Sequence, residues 1–348
     1  MKTTRKDVAK YAGVSEQTVS YVVNGSRKFS NTIVERVNKA IKELNYQPDM
    51  IARSMTQKQT KSVAILIKNI ENPIFPAIIR GFQRKAIEKG YSVYIVDAEG
   101  SVCIDNIVSS LIARRIDGVY VSMFADEEFV HIVKQFIEND IKVVIGNIET
   151  ALSSTPSVTV DFVEGMKQIV EYLKLKGHRK IAYLSGIDIK QKNDNRYTAF
   201  LDEYKRCFGN EPLVIENSAP YSTTVESGKF LTEKLFTISG DITAILTTND
   251  LMAYGAIEVI KQKGKLVPDD ISVIGIDDIM FSKYTNPPLT TLGYDNEGFG
   301  EKTFKVLLNS MLGNEPTSAK VKPYIVERES VKEVVGNLQS NKVVLCRS

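Results

Sequence analysis

The chain has 348 residues, of which 43% are hydrophobic and 25% charged, and its formal net charge is +3. That length exceeds one ordinary core, and the balanced composition excludes collagen-like, coiled-coil and disordered chains. Three scattered cysteines and two distant histidines offer no disulfide framework and no metal-ligand spacing, so we expect no cofactor. A polar N-terminus and the lack of a long apolar run predict a cytoplasmic protein without a membrane segment.

The charge is unevenly distributed along the chain. Residues 1–61 hold twelve Lys/Arg against five Asp/Glu, a net charge of +7, whereas the remaining residues sum to −4. A basic head on a mildly acidic body is typical of a phosphate-binding module attached to another domain. A solvated basic surface with no partner has the same charge, so charge alone does not decide between the two.

Three short helical patterns fill residues 1–47. Thr4 and Asp7 have the spacing of a capping box at the start of a first helix. Ser15 is placed to cap a second helix, and Ser30 to cap a third. The turn 13–15, which begins with glycine, joins the first two helices. Two short helices joined in this way predict a helix-turn-helix, whose second helix lies in the major groove of DNA.

The polar face of the second helix carries side chains suited to bases and phosphates. Gln17 can pair with adenine through two hydrogen bonds, and Glu16 can accept one from cytosine N4. The candidate DNA contacts are Ser15, Glu16, Gln17, Thr18, Ser20, Tyr21, Asn24, Arg27 and Lys28. A small three-helix bundle with a polar surface and no DNA role is the alternative.

Two runs resemble the DNA-binding head of the lactose-repressor (LacI/GalR) family of bacterial transcription regulators: DVAKYAGVSEQTVSYVVNG at 7–25 and FSNTIVERVNKAIKELNYQPDMIARSM at 29–55. Members of that family commonly carry arginine at the position of Tyr21. Tyrosine cannot make the two-hydrogen-bond contact to guanine that arginine makes. We therefore expect an altered operator sequence.

The resemblance also implies that residues 48–61 are a hinge helix and linker. In the family an apolar side chain of this helix wedges into the minor groove at the operator dyad, and Ala52 and Met55 stand at the matching positions. Two hinges must meet at one dyad, so the resemblance implies a homodimer on a pseudo-palindromic operator. An ordinary flexible linker is the alternative when DNA is absent.

From residue 62 onwards, short apolar runs alternate with helical stretches in two series. The predicted strands are 62–68, 91–96, 118–122 and 142–146, then 180–185, 243–248 and 271–276. Continuous apolar strands separated by helices predict parallel sheets buried on both faces. The predicted fold is an all-α helix-turn-helix head plus an α/β core of two parallel-sheet lobes. We place an N-lobe at 62–160 and 294–323, a C-lobe at 161–291 and 324–336, and a tail at 337–348.

Ligands of open parallel sheets bind beyond the carboxyl ends of the strands. Four stretches resemble the core of the same family, which is itself similar to periplasmic sugar-binding proteins: NPIF at 72–75, DNRYTAF at 194–200, TAILTTNDLMAYGA at 243–256 and VPDDISVIGIDDIMFSKYTNPPLTTL at 267–292. Matched motif by motif, the resemblance implies polar effector contacts at Asn147, Arg196, Asn249 and Asp277. It implies apolar contacts at Ile74, Phe75, Phe124 and Tyr221.

Structural roles compete with several of these assignments. Asn249 is placed to cap the following helix, Asp278 to hold a strand-end turn, and Phe75 and Phe124 to join the core. Arg196 is also placed to pair with Asp194.

Three other functional classes are compatible with parts of the sequence. An enzyme is not expected, because no glycine-rich phosphate loop follows the first strand and two histidines leave little material for a catalytic site. A solute-binding protein and a non-specific nucleic-acid binder remain as alternatives. The predicted function is a sequence-specific repressor controlled by a sugar or sugar phosphate, with a purine effector or a phosphocarrier-protein corepressor as the alternatives.

Overall fold

The computed structural model describes residues 3–24, 27–47, 59–98, 104–122, 127–146, 154–187, 189, 195–217, 222–315 and 317–334. The chain divides into a head unit, Met1–Lys61, and a core unit, Ser62–Ser348.

The described part of the head contains α1 (Arg5–Ala12), α2 (Glu16–Asn24) and α3 (Asn31–Glu43). The predicted capping box is confirmed at α1, where the Thr4 hydroxyl accepts from Asp7 N and the Asp7 carboxylate accepts from Thr4 N at 2.9 Å. The Thr4 hydroxyl also donates to Asp7 Oδ2 at 2.6 Å, and this hydrogen bond, together with the one from Thr4 N, lowers the pKa of Asp7. Gly13 ends α1 in the left-handed conformation, with φ of 62°.

The second helix is capped as predicted, but the third is not. Ser15 Oγ accepts from Thr18 N at 3.0 Å. Ser30 stands at the start of α3 without a side-chain hydrogen bond, and its main-chain oxygen accepts from Ile33 N at 3.0 Å. The small core of the head is apolar and consists of Val8, Ala9, Ala12, Val19, Val37 and Ala40.

The described residues of the core unit form two six-stranded sheets. The first, in spatial order, is β11 (Ala319–Val321), β5 (Ser157–Val160), β4 (Lys142–Gly146), β3 (Gly118–Ser122), β1 (Ser62–Ile67) and β2 (Ser92–Asp97). The second is β12 (Tyr324–Val326), β10 (Thr290–Gly293), β9 (Ser272–Ile276), β8 (Ala244–Thr247), β6 (Ile181–Ser185) and β7 (Leu213–Glu216). Every pairing is parallel except that of β10 with β12. We call the layers built on them the N-lobe and the C-lobe.

Helices cover both sheets. They are α4 (Ile74–Glu88), α5 (Ile104–Ala113), α6 (Glu127–Glu138), α7 (Phe162–Leu175), α8 (Asn195–Phe208), α9 (Val225–Ile238), α10 (Asp250–Gln262) and α11 (Asn296–Met311), with a 3-10 turn at Met280–Lys283. The predicted class, a helical head plus a two-lobed parallel α/β core, is confirmed. In the described ranges, no helix is both long and apolar enough to span a membrane.

Two glycines let α4 and α11 cross at very short range in the N-lobe. A Cβ added to Gly81 would lie 1.9 Å from Glu297 O, and one added to Gly300 would lie 1.9 Å from Ile78 O. No side chain fits at such distances, so both positions require glycine. The crossing fixes α11, from late in the chain, onto the lobe formed by the earliest strands.

The prediction of a buried strand at 91–96 is wrong in one respect. Strand β2 forms there, but it is the edge of its sheet, and Tyr94 and Ile95 are 38% and 42% exposed. An apolar run identifies a strand without telling whether both faces are covered.

Candidate DNA-reading helix and effector site

The side chains of Gln17 and Tyr21 are joined on the exposed face of α2. Gln17 Nε2 donates to Tyr21 Oη at 2.8 Å. The Tyr21 ring is stacked near the Phe29 ring, with centroids 6.4 Å apart and planes inclined by 26°. Behind it, the Arg27 guanidinium lies 5.8 Å from the Phe29 ring centroid. The Phe29 ring therefore supports Tyr21 on one side, and the Tyr21 hydroxyl accepts a hydrogen bond from Gln17 on the other. One N–H and the side-chain carbonyl of Gln17 are left to bond a base.

Other predicted DNA contacts already have partners within the head. Glu16 pairs with Arg5 at 3.5 Å, an exposed and weak ion pair. The hydroxyls of Ser15 and Thr18 lie 2.9 Å apart. Ser20 is half-buried and Lys28 is exposed. The side chain of Asn24 and the hinge residues Ala52 and Met55 lie outside the described residues.

The candidate effector site is at the carboxyl edge of the C-lobe sheet, where Arg196 meets the end of β8. Arg196 Nη1 donates to Thr248 O at 3.1 Å, and its guanidinium lies 5.3 Å from the centroid of the Phe162 ring. The arginine thus forms a planar, cationic surface backed by an aromatic ring.

Asn249 performs the structural role considered for it. Its Oδ1 accepts from Met252 N at 3.0 Å and caps α10, while its Nδ2 donates to Thr223 O at 2.9 Å. The residue is 3% exposed. Asn249 therefore positions the chain at the end of β8, and a direct contact with an effector stays a prediction.

Asp277 follows β9 directly, in a backbone conformation that non-glycine residues rarely adopt. Its φ is 112°, and that of Asp278 is 48°. Asp277 is 7% exposed, and its main-chain N donates to Leu292 O at 2.9 Å. Strain of this kind persists only where the surroundings hold it, and it concentrates at functional sites.

Two charged residues, which the sequence analysis did not select, hold this strained loop. The fully buried Asp250 carboxylate accepts from Ile279 N at 3.0 Å and from the hydroxyls of Ser282 and Thr291, each at 2.6 Å. Burial raises the pKa of Asp250 to about 7.

Arg328 holds the same loop from the segment after β12. It donates to Asp278 Oδ1 at 2.6 Å and to Leu289 O at 2.7 Å. Asp278 thus holds the strand-end turn, as the structural alternative from sequence suggested. The Asn-Asp pair after β8 and the Asp-Asp pair after β9 were the only sequence signals for this network.

The remaining predicted contacts divide into two groups. Ile74 is 6% exposed within the main core, and Phe75 is half-buried against that core. Asn147, Phe124 and Tyr221 lie outside the described residues. Across the described ranges, no cluster of three or more His, Cys, Asp or Glu side chains is arranged to hold a metal.

Comparison with known proteins gives consistent matches. Residues 4–49 match "Bacterial regulatory proteins, lacI family", and residues 170–331 match "Periplasmic binding protein-like domain". The HTH-type transcriptional repressor PurR of Mannheimia succiniciproducens is 32% identical over 336 residues, which are 95% of this chain and 99% of that protein.

Two solved structures share this fold. The Lac repressor dimer bound to operator and the anti-inducer ONPF has a TM-score of 0.80 and 27% identity, over 95% of this chain and 100% of that one. The complex of the transcriptional regulator CelR with cellobiose has a TM-score of 0.71 and 25% identity, over 94% of this chain and 100% of that one.

A helix-turn-helix head followed by a two-lobed α/β core defines a class of DNA-binding transcription regulators. The chain belongs to the lacI family of bacterial regulatory proteins, and it is a DNA-binding transcriptional repressor rather than an enzyme.

Proposed function

We propose that this repressor is controlled by a small molecule bound beyond the carboxyl ends of the C-lobe strands. The observation that carries the proposal is the strained Asp277, in a loop that Asp250 and Arg328 hold at the same edge of the C-lobe sheet as Arg196. A carboxylate and a guanidinium fork are well matched to the vicinal hydroxyls of a sugar or to a sugar phosphate. The cellobiose complex of CelR supports a sugar as the first candidate.

A purine is the second candidate. The Arg196 guanidinium over the Phe162 ring gives a flat cationic surface, on which a planar base can stack. Asp277 is suited to accept from a ring N–H of such a base.

A thermal-shift panel of sugars, sugar phosphates, nucleosides and purines tests the proposal. A ligand at a hundred times its Kd should add about 2.7 kcal/mol to the stability of the unfolding unit it binds. Asp277→Ala should abolish that shift, whereas Asp269→Ala, at an exposed aspartate of the same lobe, should preserve it. A panel without any shift would contradict the sugars and purines that it contains, and would favour an untested metabolite or a phosphocarrier-protein corepressor.

We further propose that the repressor binds a pseudo-palindromic operator as a homodimer. Three large apolar side chains are exposed within five residues of the C-lobe: Met280 at 63%, Phe281 at 50% and Tyr284 at 72%. Clustered exposed apolar surface is typical of interaction sites. The Lac repressor structure, described as a dimer on operator, supports the same assembly.

Sedimentation of Met280→Lys/Phe281→Lys tests the dimer. The double variant should sediment as a monomer and lose operator affinity. Leu175→Lys, at a side chain 84% exposed on α7, should leave both unchanged. Dimers of the double variant at the wild-type dissociation constant would contradict this interface.

The hinge completes the proposed mechanism. Met55 and Ala52 contact the minor groove at the dyad, and the effector changes operator affinity by favouring one arrangement of the two lobes. Met55→Gly should weaken binding to operator far more than to random DNA. Equal losses on both DNAs would contradict a wedge at the dyad.

A further inference from the structure

Asn296 links the two lobes at the candidate effector site. It is the first residue of α11, which packs on the N-lobe, and it comes shortly after β10 of the C-lobe. Its Nδ2 donates to the main-chain oxygen of Asp277 at 3.1 Å. The side chain therefore joins an N-lobe helix to the strained effector loop of the C-lobe.

The orientation of the Asn296 amide is fixed by chemistry. A main-chain carbonyl can only accept, so the NH2 group must face Asp277 and the side-chain oxygen must face the other way. That oxygen, Oδ1, is buried, and no residue in the described ranges donates to it. The N-terminus of α11 does not need it, because Asp295 Oδ1 accepts from Gly298 N at 2.8 Å and caps the helix.

A buried carbonyl oxygen without a donor is unfavourable, and folded proteins rarely keep one. This one lies on the side chain that touches Asp277, in a loop that Asp250 and Arg328 hold in a strained conformation. Two unfavourable features at the same loop indicate that a hydrogen-bond donor is supplied from outside the chain.

We propose that Asn296 is an effector-contacting residue whose side-chain carbonyl accepts a hydrogen bond from the bound molecule. The inference rests on the proposed effector site and deepens it. The partner group is a neutral donor, either a sugar hydroxyl or a purine ring N–H. Since the amide end of the same side chain holds Asp277, the effector and the C-lobe loop are both tied to the N-lobe through one residue.

The first test needs no ligand and uses the full chain. Asn296→Leu leaves Asp277 O without its donor, which is unfavourable, and removes the unpaired carbonyl of Asn296, which is favourable. The two effects offset each other, so its Tm should lie within about 2 °C of the wild type. Asn309→Leu, the same change further along α11, is the matched control. A loss of more than about 6 °C confined to Asn296→Leu would show that Oδ1 already has a protein partner, which would overturn the proposal.

The second test uses cellobiose and hypoxanthine, each beside its singly O-methylated or N-methylated derivatives. Methylation of the group that faces Asn296 should weaken binding to the wild type by about tenfold. Asn296→Leu should bind the parent compound about tenfold more weakly and should not discriminate against that derivative. Wild-type discrimination in the variant would overturn the proposal. If neither parent compound binds, cellobiose and hypoxanthine are excluded as effectors, and the melting comparison still decides whether the Asn296 carbonyl is unpaired.

Discussion

Substitution of Asp250 by asparagine isolates the charge that holds the effector loop. The carboxyl group is fully buried and accepts three hydrogen bonds, which favour its charged form, while burial opposes that form. Burial prevails, and the pKa is raised from the model-compound value of 3.8 to about 7. Asparagine has nearly the same shape and does not titrate.

The sign and size of the pH effect follow from that difference. Because the pKa is higher in the folded state, folding favours the protonated form of Asp250. Its contribution to stability is complete below about pH 4 and is lost as the pH rises to about 7. The interval between the two pKa values, 3.8 and about 7, corresponds to a change of about 4 kcal/mol at most in the free energy of unfolding. The free energy of unfolding of the wild type, minus that of Asp250→Asn, should therefore fall by up to that amount between pH 4 and pH 8.

Urea denaturation of both proteins at five pH values between 4 and 8 measures this difference. Subtraction removes the titration of all other groups, since both proteins share them. Asp269→Asn makes the same change at an exposed aspartate, which pairs with Lys332 at 3.2 Å. The free energy of unfolding of the wild type, minus that of Asp269→Asn, should be nearly constant between pH 4 and pH 8. A constant difference for Asp250→Asn as well would refute the reasoning, because Asp250 would then titrate alike in the folded and unfolded chains.

Three further substitutions test the local geometry. Gly146→Ala would bring a Cβ within 2.2 Å of Tyr120 Oη, so it should lower the free energy of unfolding by about 1–3 kcal/mol in urea titrations and be partly rescued by Tyr120→Leu. An unchanged midpoint would contradict this packing. Thr4→Ala removes the capping box and should lower the free energy of unfolding of the head by about 1 kcal/mol, measured by calorimetry. An unchanged free energy of unfolding would show that the cap does not stabilise the head. Tyr21→Phe removes the hydroxyl that accepts from the Gln17 amide, so it should broaden base preference at one position per half-site in binding selections. The affinity for random DNA should not change. Selection of the same site as the wild type would show that Tyr21 does not orient Gln17.

Much of the fold could be predicted because its signals are local. Capping boxes and helix ends depend on residues three or four apart, as Thr4 and Asp7 show. Buried parallel strands appear as continuous apolar runs, and two series of them indicated two lobes. Local signals failed at Ser30, whose hydroxyl makes no capping hydrogen bond, and at β2, whose exposure depends on its place at the edge of the sheet.

The site could be predicted only in outline. The resemblance and the rule for parallel sheets selected Arg196 and Asp277, which lie at the same sheet edge. Asp250, Arg328 and Asn296 were missed because their partners are 19 to 50 residues away along the chain. Neither hydrophobic periodicity nor motif spacing encodes such contacts. The positive φ of Asp277 was equally hidden, because aspartate carries no sign of strain in the sequence.

The most direct test of the whole account is operator affinity with and without effector. A selected pseudo-palindromic operator and random DNA would be titrated by fluorescence anisotropy at fixed salt, with each ligand that gives a thermal shift. We expect operator to bind at least a thousandfold more tightly than random DNA. The effector should change operator affinity by about 5–150-fold, and Asp277→Ala should abolish that change while keeping the affinity of the ligand-free protein. Equal affinity for both DNAs, or an effector response that survives Asp277→Ala, would contradict the account.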